Sequence, residues 1–421
     1  MASKYVVLDM FAGAGGLTEG FARKNFNIIS HIEMDHYAAN TLQIRILYHA
    51  LKRKNREKLY YQYYEGHITR DEFIEECRSL GLSDIGIINR EISGKTEPQI
   101  INEIRNRMKN SNVSDIDVII GGPPCQAYSH IGRGRDPKKM RDDPRNHLYL
   151  HYLKFIQEFE PQLFVFENVK GMLSARNGEI VKDFFDRLHG LGYSTDSNLK
   201  LVNSKDFGVL QDRERIIFIG WKQDQECEYP EFPKIATQSS VWNLLNDLPI
   251  LEPNTGTDGP QRYRAGRPSK YLRLTDIRNG EKAVRNHAAR FHNERDREIY
   301  RLTIKKWNNE KMRIKYYELP EDLKTHKNRS SFLDRFKVVD GEGLSHTVTA
   351  HASHDGHHFI HPDLQQARSL TVRELARIQS FPDNFLFEGS RGAQYTQIGN
   401  AVPPLMAEGI ATEIVHMLDN M

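Results

Sequence analysis

An α/β fold, a mainly parallel sheet wound with helices, is predicted by three features of the 421-residue chain. Short apolar runs alternate with helical stretches. A glycine-rich turn, Asp9-Met-Phe-Ala-Gly-Ala-Gly-Gly16, joins one such run to a helix. A rigid turn, Gly121-Gly-Pro-Pro-Cys-Gln-Ala-Tyr-Ser129, follows another run, Asp117-Val-Ile-Ile120. Strand carboxyl ends of this kind are where open α/β sheets place their chemistry.

The elements follow in order. Tyr5-Val-Val-Leu8 reads as a buried strand, and Leu17–Lys24 as the helix after the glycine turn. A second strand, Asn27–Ile32, ends at Glu33-Met34-Asp35. Residues 41–88 read as a helical, charged insertion carrying Lys52-Arg-Lys-Asn-Arg-Glu-Lys58 and the pairs Tyr60-Tyr61 and Tyr63-Tyr64. That charge run is expected to be a solvated helix face, with a phosphate contact as the alternative. Further strands are expected at Val118–Ile120, Leu163–Phe166, Leu199–Val202 and Ile216–Ile219. From Lys222 the rhythm stops, and residues to about 365 are irregular, with Pro, Gly and Asn breaks and basic clusters at Arg262–Arg267 and Arg273–Arg285. Helical periodicity returns at Thr371–Ser380 and Pro404–Leu418, which brings the chain back to its first domain.

Composition bounds the possibilities. The length suits two or three domains at roughly 150 residues each. A content of 38% hydrophobic and 27% charged residues suits a globular core with an ordinary surface. There is no apolar run of about 18 residues and no signal-peptide pattern, so a cytoplasmic location is expected. Cys77, Cys125 and Cys227 lack Cys-x-x-Cys spacing, which argues against a disulfide framework or zinc knuckle. The net charge of +3 is too small to identify a nucleic-acid partner by itself.

Taken alone, Cys125 has two readings. It is either a buried small hydrophobe or a nucleophile held on a proline turn. The glycine turn is of nucleotide-binding type without strict G-x-G-x-x-G spacing, which disfavours a dinucleotide; no Lys-Ser/Thr pair follows, which disfavours a triphosphate. Glu33, about 20 residues on at a strand end, fits a ribose ligand, and Met34 could pack on an adenine.

With Pro123-Pro-Cys125-Gln the chain resembles the cytosine-C5 DNA methyltransferase family of prokaryotic restriction–modification type. An ordered series of blocks carries the likeness. Phe11-Ala-Gly-Ala-Gly15 resembles the S-adenosylmethionine loop, Glu33-Met34 the ribose and adenine contacts, and Glu167-Asn-Val169 the family's glutamate block. Gln211-Asp-Arg213-Glu-Arg215 resembles its Gln-x-Arg-x-Arg block, and Arg373–Pro382 and Gly399–Pro404 its last two. The resemblance implies a Rossmann-like, S-adenosylmethionine-dependent catalytic domain (1–221 plus 366–421, with 41–88 inserted) and a smaller, irregular target-recognition domain (222–365). One block departs from the pattern. The usual Gly-Asp-Ile turn is matched at best by Arg90-Glu91-Ile92, with a longer acid, and less well by Gly66-His-Ile68, which has none.

Roles carried over by resemblance are as follows. Phe11, Ala12, Gly13, Gly15, Gly16, Leu17, Glu33, Met34, Glu91, Ile92, Pro123, Asn400 and Val402 would hold S-adenosylmethionine. Cys125 would add to C6 of a flipped cytosine, because C5 is too poor a nucleophile until a thiolate makes the ring enamine-like. Glu167, at the end of the strand neighbouring that of Cys125, would relieve charge at N3. Arg215 would contact O2, while Arg213 would support the site and the nucleophile loop. Gln126, Ser129, Arg133, Arg135, Gln211 and Thr349 would contact DNA, with 126–146 acting as a closing loop. His351, His354, His357, His358 and His361 look like a metal cluster, but no cysteine partners them, and structural or phosphate contacts are expected instead of a metal. Double-stranded DNA is the implied partner, a cognate restriction endonuclease a member of the same system, and a monomer the expected state. A tRNA cytosine-C5 methyltransferase and a catalytically inactive DNA-binding regulator are the alternatives.

Overall fold

A computed structural model describes residues 5–124, 147–196, 200–232, 234–278, 280–325 and 332–421. Cys125, Gln126, Ser129, Arg133 and Arg135 lie outside the described residues.

The chain opens with β1 (Val6–Met10), α1 (Gly16–Arg23), β2 (Asn27–Glu33) and α2 (His36–Arg53). Two short helices follow, α3 (Lys58–Tyr64) and α4 (Arg70–Ser79), then β3 (Ile87–Asn89), α5 (Glu97–Asn110) and β4 (Val118–Gly121). After these come α6 (Leu148–Phe159), β5 (Leu163–Asn168), α7 (Glu179–Gly190), β6 (Tyr193–Thr195), β7 (Leu201–Asn203), β8 (Gln211–Asp212) and β9 (Glu214–Lys222).

The sheet has the order β3-β2-β1-β4-β5-β9-β6, with β7 also pairing β9. The first five strands are mutually parallel, whereas β9 runs antiparallel to β5. That reversal places the beginning of β9 at the carboxyl edge of the parallel strands, beside the end of β5. Strands buried on both faces read as unbroken apolar runs, as Val118-Ile-Ile120 and Leu163-Phe-Val-Phe166 do. One face packs on α5, α6 and α7 through Ile104, Tyr152 and Phe184. The other packs on α1 and the last helix through Phe21, Ile410 and Ile414.

Two expectations change here. The helix read as starting at residue 41 begins at His36 and belongs to the sheet unit: Asp35 caps it by accepting from Ala38 N–H at 2.8 Å. Only α3 and α4 are added to that unit. β3 has no counterpart in the sequence pattern. The charged residues 52–56 are exposed as expected, but Tyr60 and Tyr64 are fully buried and so do not reach a phosphate backbone.

Beyond β9 lie short pieces: α8 (Trp242–Leu245), the strands β10 (Gly256–Thr257) and β11 (Gln261–Arg262), and α9 (Lys270–Leu274). β12 (Ala283–Val284), β13 (His287–Ala288), α10 (Glu294–Glu310) and β14 (Ser345–His346) complete this region. The chain ends in α11 (Val372–Ile378), α12 (Arg391–Asn400) and α13 (Pro404–Asp419). α11 buries its apolar residues with Leu244, Leu248, Tyr271 and Phe381, away from the sheet. Its buried arginines are all paired. Arg377 bonds Asp383 (2.6 and 2.8 Å) and Asp247 (2.5 Å), Arg373 donates to three carbonyls, and Arg368 before the helix is bidentate to Glu374 (2.7 and 2.8 Å). Buried charges persist only when compensated in this way.

Candidate active site

The β1–α1 turn meets the conformational demand its glycines imply. Gly13 and Gly15 have φ of 56° and 92°, and Phe11 also takes a left-handed value, 55°. A Cβ on Gly13 would meet nothing within 4 Å, so the turn opens onto free space. Gly16 is the reverse case: a Cβ there would lie 2.2 Å from the Val402 carbonyl oxygen. Leu17 and Val402 are buried, and Asn400 is exposed. The final block is thereby packed directly beneath the turn.

Glu33 ends β2 and holds this loop. Its Oε2 accepts from Gly13 N–H and its Oε1 from Asp35 N–H, both at 2.7 Å. Burial pushes its carboxyl above the usual glutamate range, against the effect of those two donors. A carboxylate offers about four lone-pair sites, so two remain for ribose hydroxyls. Met34 beside it is 61% exposed. Asn89, at the end of β3, donates to the Glu33 and Met34 carbonyls at 2.8 and 3.2 Å. It fixes the strand end, and sequence reasoning misses it because a three-residue strand leaves almost no signal. Glu91 is exposed two residues past β3, and Ile92 is buried. An open glycine turn, a carboxylate with spare acceptors and an exposed thioether fit an adenosyl group.

Across the sheet, Glu167 and Arg215 meet. Arg215 Nε lies 2.9 Å from Glu167 Oε1, each side chain about one-tenth exposed. The antiparallel β9 makes the pair possible. A Cβ on Gly122 would lie 2.8 Å from Glu167 Oε2 and 3.2 Å from its carbonyl oxygen, so the turn toward residue 125 passes close against Glu167. Asn168, 1% exposed, donates Nδ2–H to the Pro123 carbonyl at 3.3 Å. It anchors the start of that turn. The signal for Asn168 lies in the Glu167-Asn-Val169 block, where it reads only as a neighbour of the glutamate.

One candidate sits elsewhere than expected. Gln211 is fully buried, bonding Gln379 (2.8 Å) and Val348 N–H (2.8 Å), so it braces β8 and touches no DNA. Arg213 is 1% exposed and donates to the carbonyls of Val348 (2.6 Å), Ala401 (3.0 Å) and Gly399 (3.3 Å). Residues two apart on one strand share a face, so Arg213 points away from Arg215 because of the break in the strand at 213, between β8 and β9. It is therefore a positioning residue beneath the site, not one of the reacting groups. It also ties the segment before Thr349 to the last block, where a Cβ on Gly399 would fall 2.1 Å from Ala350 N.

Not every basic residue of the irregular region faces outward. Arg278 stacks 3.5 Å from the Tyr263 ring centre and pairs Asp247 at 2.6 Å, and Arg285 donates to the Tyr63 and Tyr64 carbonyls. Arg262, Arg264, Arg267 and Arg273 are exposed. Among the described residues no group of three or more His, Cys, Asp or Glu could hold a metal, and no helix is long and apolar enough to cross a membrane.

A doubly wound sheet with an adenosyl-type cradle at one side of its carboxyl edge and a carboxylate–guanidinium pair at the other is the framework of a group-transfer enzyme. The sequence pattern of C-5 cytosine-specific DNA methylases matches residues 5–63 and 91–416, and the chain belongs to that family. It is 40% identical to the type II methyltransferase M.Bpa9945I of Bacillus paralicheniformis, over 98% of this chain and 99% of that protein. It is 31% identical to the type II methyltransferase M.DdeI of Desulfomicrobium norvegicum, over 99% and 89%. An Escherichia coli prophage protein described as a DNA modification methyltransferase shares the fold, with a TM-score of 0.67 at 23% identity over 99% of this chain and all of that one. α4 and β3 both fall in the gap of the family match.

Proposed function

We propose that the chain is the sequence-specific modification enzyme of a restriction–modification system, methylating C5 of a cytosine flipped out of double-stranded DNA. The observation that carries this reading is the Glu167–Arg215 pair, set at 2.9 Å beside the turn that leads into Cys125. The catalytic and cofactor-binding domain is taken as 1–221 plus 366–421, and the recognition domain as 222–365.

Cys125 attacks C6 as thiolate, and the ring's electron density moves to C5. S-adenosylmethionine, when bound, supplies the electrophilic methyl group. Glu167 meets N3 and stabilises the negative charge that addition puts on the ring. Arg215 spends Nε on Glu167 and Nη1 on the Glu214 carbonyl (2.7 Å), which leaves Nη2 for the base oxygen O2. After transfer the C5 proton leaves to water, the C6–S bond breaks, and Cys125 is free again. Glu33, Met34 and the Phe11–Leu17 turn would hold the adenosyl group, together with Glu91, Ile92, Pro123, Asn400 and Val402. Thr349 abuts the backbone of the flipped nucleotide. Gln126, Ser129, Arg133 and Arg135 close over the duplex.

Bisulfite sequencing of DNA from a host expressing the protein identifies the methylated sequence. Cys125→Ser is expected to abolish that methylation and leave cofactor binding within a few-fold. Methylation surviving the substitution would overturn the mechanism. Transfer to tRNA with none to duplex DNA would overturn the substrate.

A further inference from the structure

Five histidines cluster just after Thr349, and the chemistry above uses none of them. The 3-10 turn Ala350–Ser353 has Thr349 as its N-cap residue. Its backbone is held from below. Arg213 takes the Val348 carbonyl, and Arg290 takes the carbonyls of Ala352 and His354 (2.7 Å to the latter). Gly399 abuts Thr349 and Ala350 from the side. With its carbonyls drawn inward, the turn presents imidazoles on its other side. The ring centres of His351 and His354 are 4.9 Å apart, and those of His351 and His358 are 4.7 Å apart. His354 is exposed, and His351 and His358 are half-buried.

The neighbours are mostly cationic or imidazole. Lys337, Arg313, His346 and His357 face the group, with Asp355 and the Lys337-bound Asp334 as its acids. His346 donates Nε2–H to the His358 carbonyl at 2.6 Å, and its ring stacks on Phe359, which fixes the floor. The location is also specific. β14 pairs in parallel with β8, and Thr347 donates to the Asp212 carbonyl at 2.8 Å. The segment leading into the turn therefore runs beside residues 211–212, a few residues before Arg215 in the chain. A duplex presenting a base to Glu167 and Arg215 must carry its own backbone past this turn.

We infer that His351, His354 and His358 form a phosphate clamp for the DNA strand next to the flipped cytosine, and that closing it takes up protons. This rests on the DNA-methylating reading above. The physical reason is mutual repulsion. The rings lie less than 5 Å apart, and burial, with Lys337 and His351 beside it, pushes the His358 ring down to about 4. A phosphodiester anion brought between them reverses that balance, so binding and protonation favour each other. The exposure of His354 sets the group apart from a cluster packed only for the core.

The test is fluorescence anisotropy with a labelled mixed-sequence duplex at fixed ionic strength, at about pH 6 and about pH 8, since phosphate contacts are independent of sequence. The wild-type protein is expected to bind roughly tenfold more tightly at the lower pH. The combined His351→Gln, His354→Gln and His358→Gln variant is expected to lose that dependence, and its salt slope at the lower pH to fall by about one. His416→Gln, on an exposed site of α13, should leave both unchanged. Should the triple variant fold poorly by thermal melting, His354→Gln alone decides the matter: it should remove part of the pH dependence. A wild-type affinity flat with pH, or a dependence that survives in the variants, overturns the clamp. Methyl transfer to duplex DNA is measured in parallel: its absence together with intact pH-linked binding would sink the enzymatic reading and leave the clamp standing.

Discussion

Gly16→Ala offers a sharp test because two effects predict opposite signs. In the first turn of a helix, and with an ordinary φ, replacing glycine by alanine normally stabilises by about 0.4–1 kcal/mol through the unfolded chain. Here the new Cβ would lie 2.2 Å from the Val402 carbonyl oxygen and 3.1 Å from its nitrogen, both backbone atoms. An ordinary C···O approach is roughly 3.3 Å, so α1 and the Val402 segment must part by about 1 Å. Overpacking of this kind costs about 1–3 kcal/mol, which outweighs the gain. The shift also moves the Phe11–Gly15 turn relative to Glu33, and misplacement on that scale erodes binding by about tenfold or more. Thermal melting and isothermal titration with S-adenosylmethionine read the two consequences separately. We expect a lowered melting temperature and a cofactor Kd raised at least tenfold. A variant that melts at or above the wild-type temperature with an unchanged Kd would refute the close packing of the last block beneath the turn.

Arg215→Lys keeps the charge but loses the guanidinium fork, and single-turnover methyl transfer should slow by about 10²–10³ with cofactor affinity unchanged. Arg213→Met leaves three buried carbonyls without their donor, so the urea midpoint should fall by the equivalent of about 3 kcal/mol. Asn168→Ala releases the Pro123 carbonyl, and its effect should appear in the methylation rate more than in stability. Acid should destabilise the fold. Burial holds His287 and His292 at about 4 and His346 and His361 at about 3, below the unfolded value near 6.5. The unfolded chain therefore binds more protons below pH 6.5. Stability is complete above that pH and is lost as pH falls toward the folded values, by about 1.4 kcal/mol per imidazole at pH 5.5, as urea titrations at two pH values will show.

Much of this was legible in the sequence where local chemistry decides the outcome. Mainly apolar runs became β1, β2, β4, β5 and β9, since strands buried on both faces favour that composition. What failed was the use of polar residues whose partners lie far along the chain. Gln211 read as DNA-facing, but its partners at 348 and 379 are backbone and amide groups that no spacing reveals, and the carbonyls at 348 and 399–401 that Arg213 holds are equally silent in sequence. Asn89 and Asn168 escape notice for the same reason: each works by holding a carbonyl, which leaves no pattern in composition. The boundary of the inserted helices failed because α2 carries apolar, charged and aromatic residues in one run, and its start is set by the Asp35 cap and not by any change in composition.

The way α3 grips the 382–388 segment has an evolutionary corollary. Tyr60 and Tyr64 donate to the main-chain oxygens of Asn384 and Asp383, and Arg373 to those of Pro382 and Phe385. Grips on main-chain atoms are blind to the identity of the residue gripped. Point replacements along that segment can accumulate with those attachments intact, whereas a single inserted or deleted residue would shift every oxygen off its donor at once. Descendants of this chain should therefore hold the length of this stretch even where its letters change, with Asp383, which pairs Arg377, and the buried Phe385 and Phe387 held for their side chains as well.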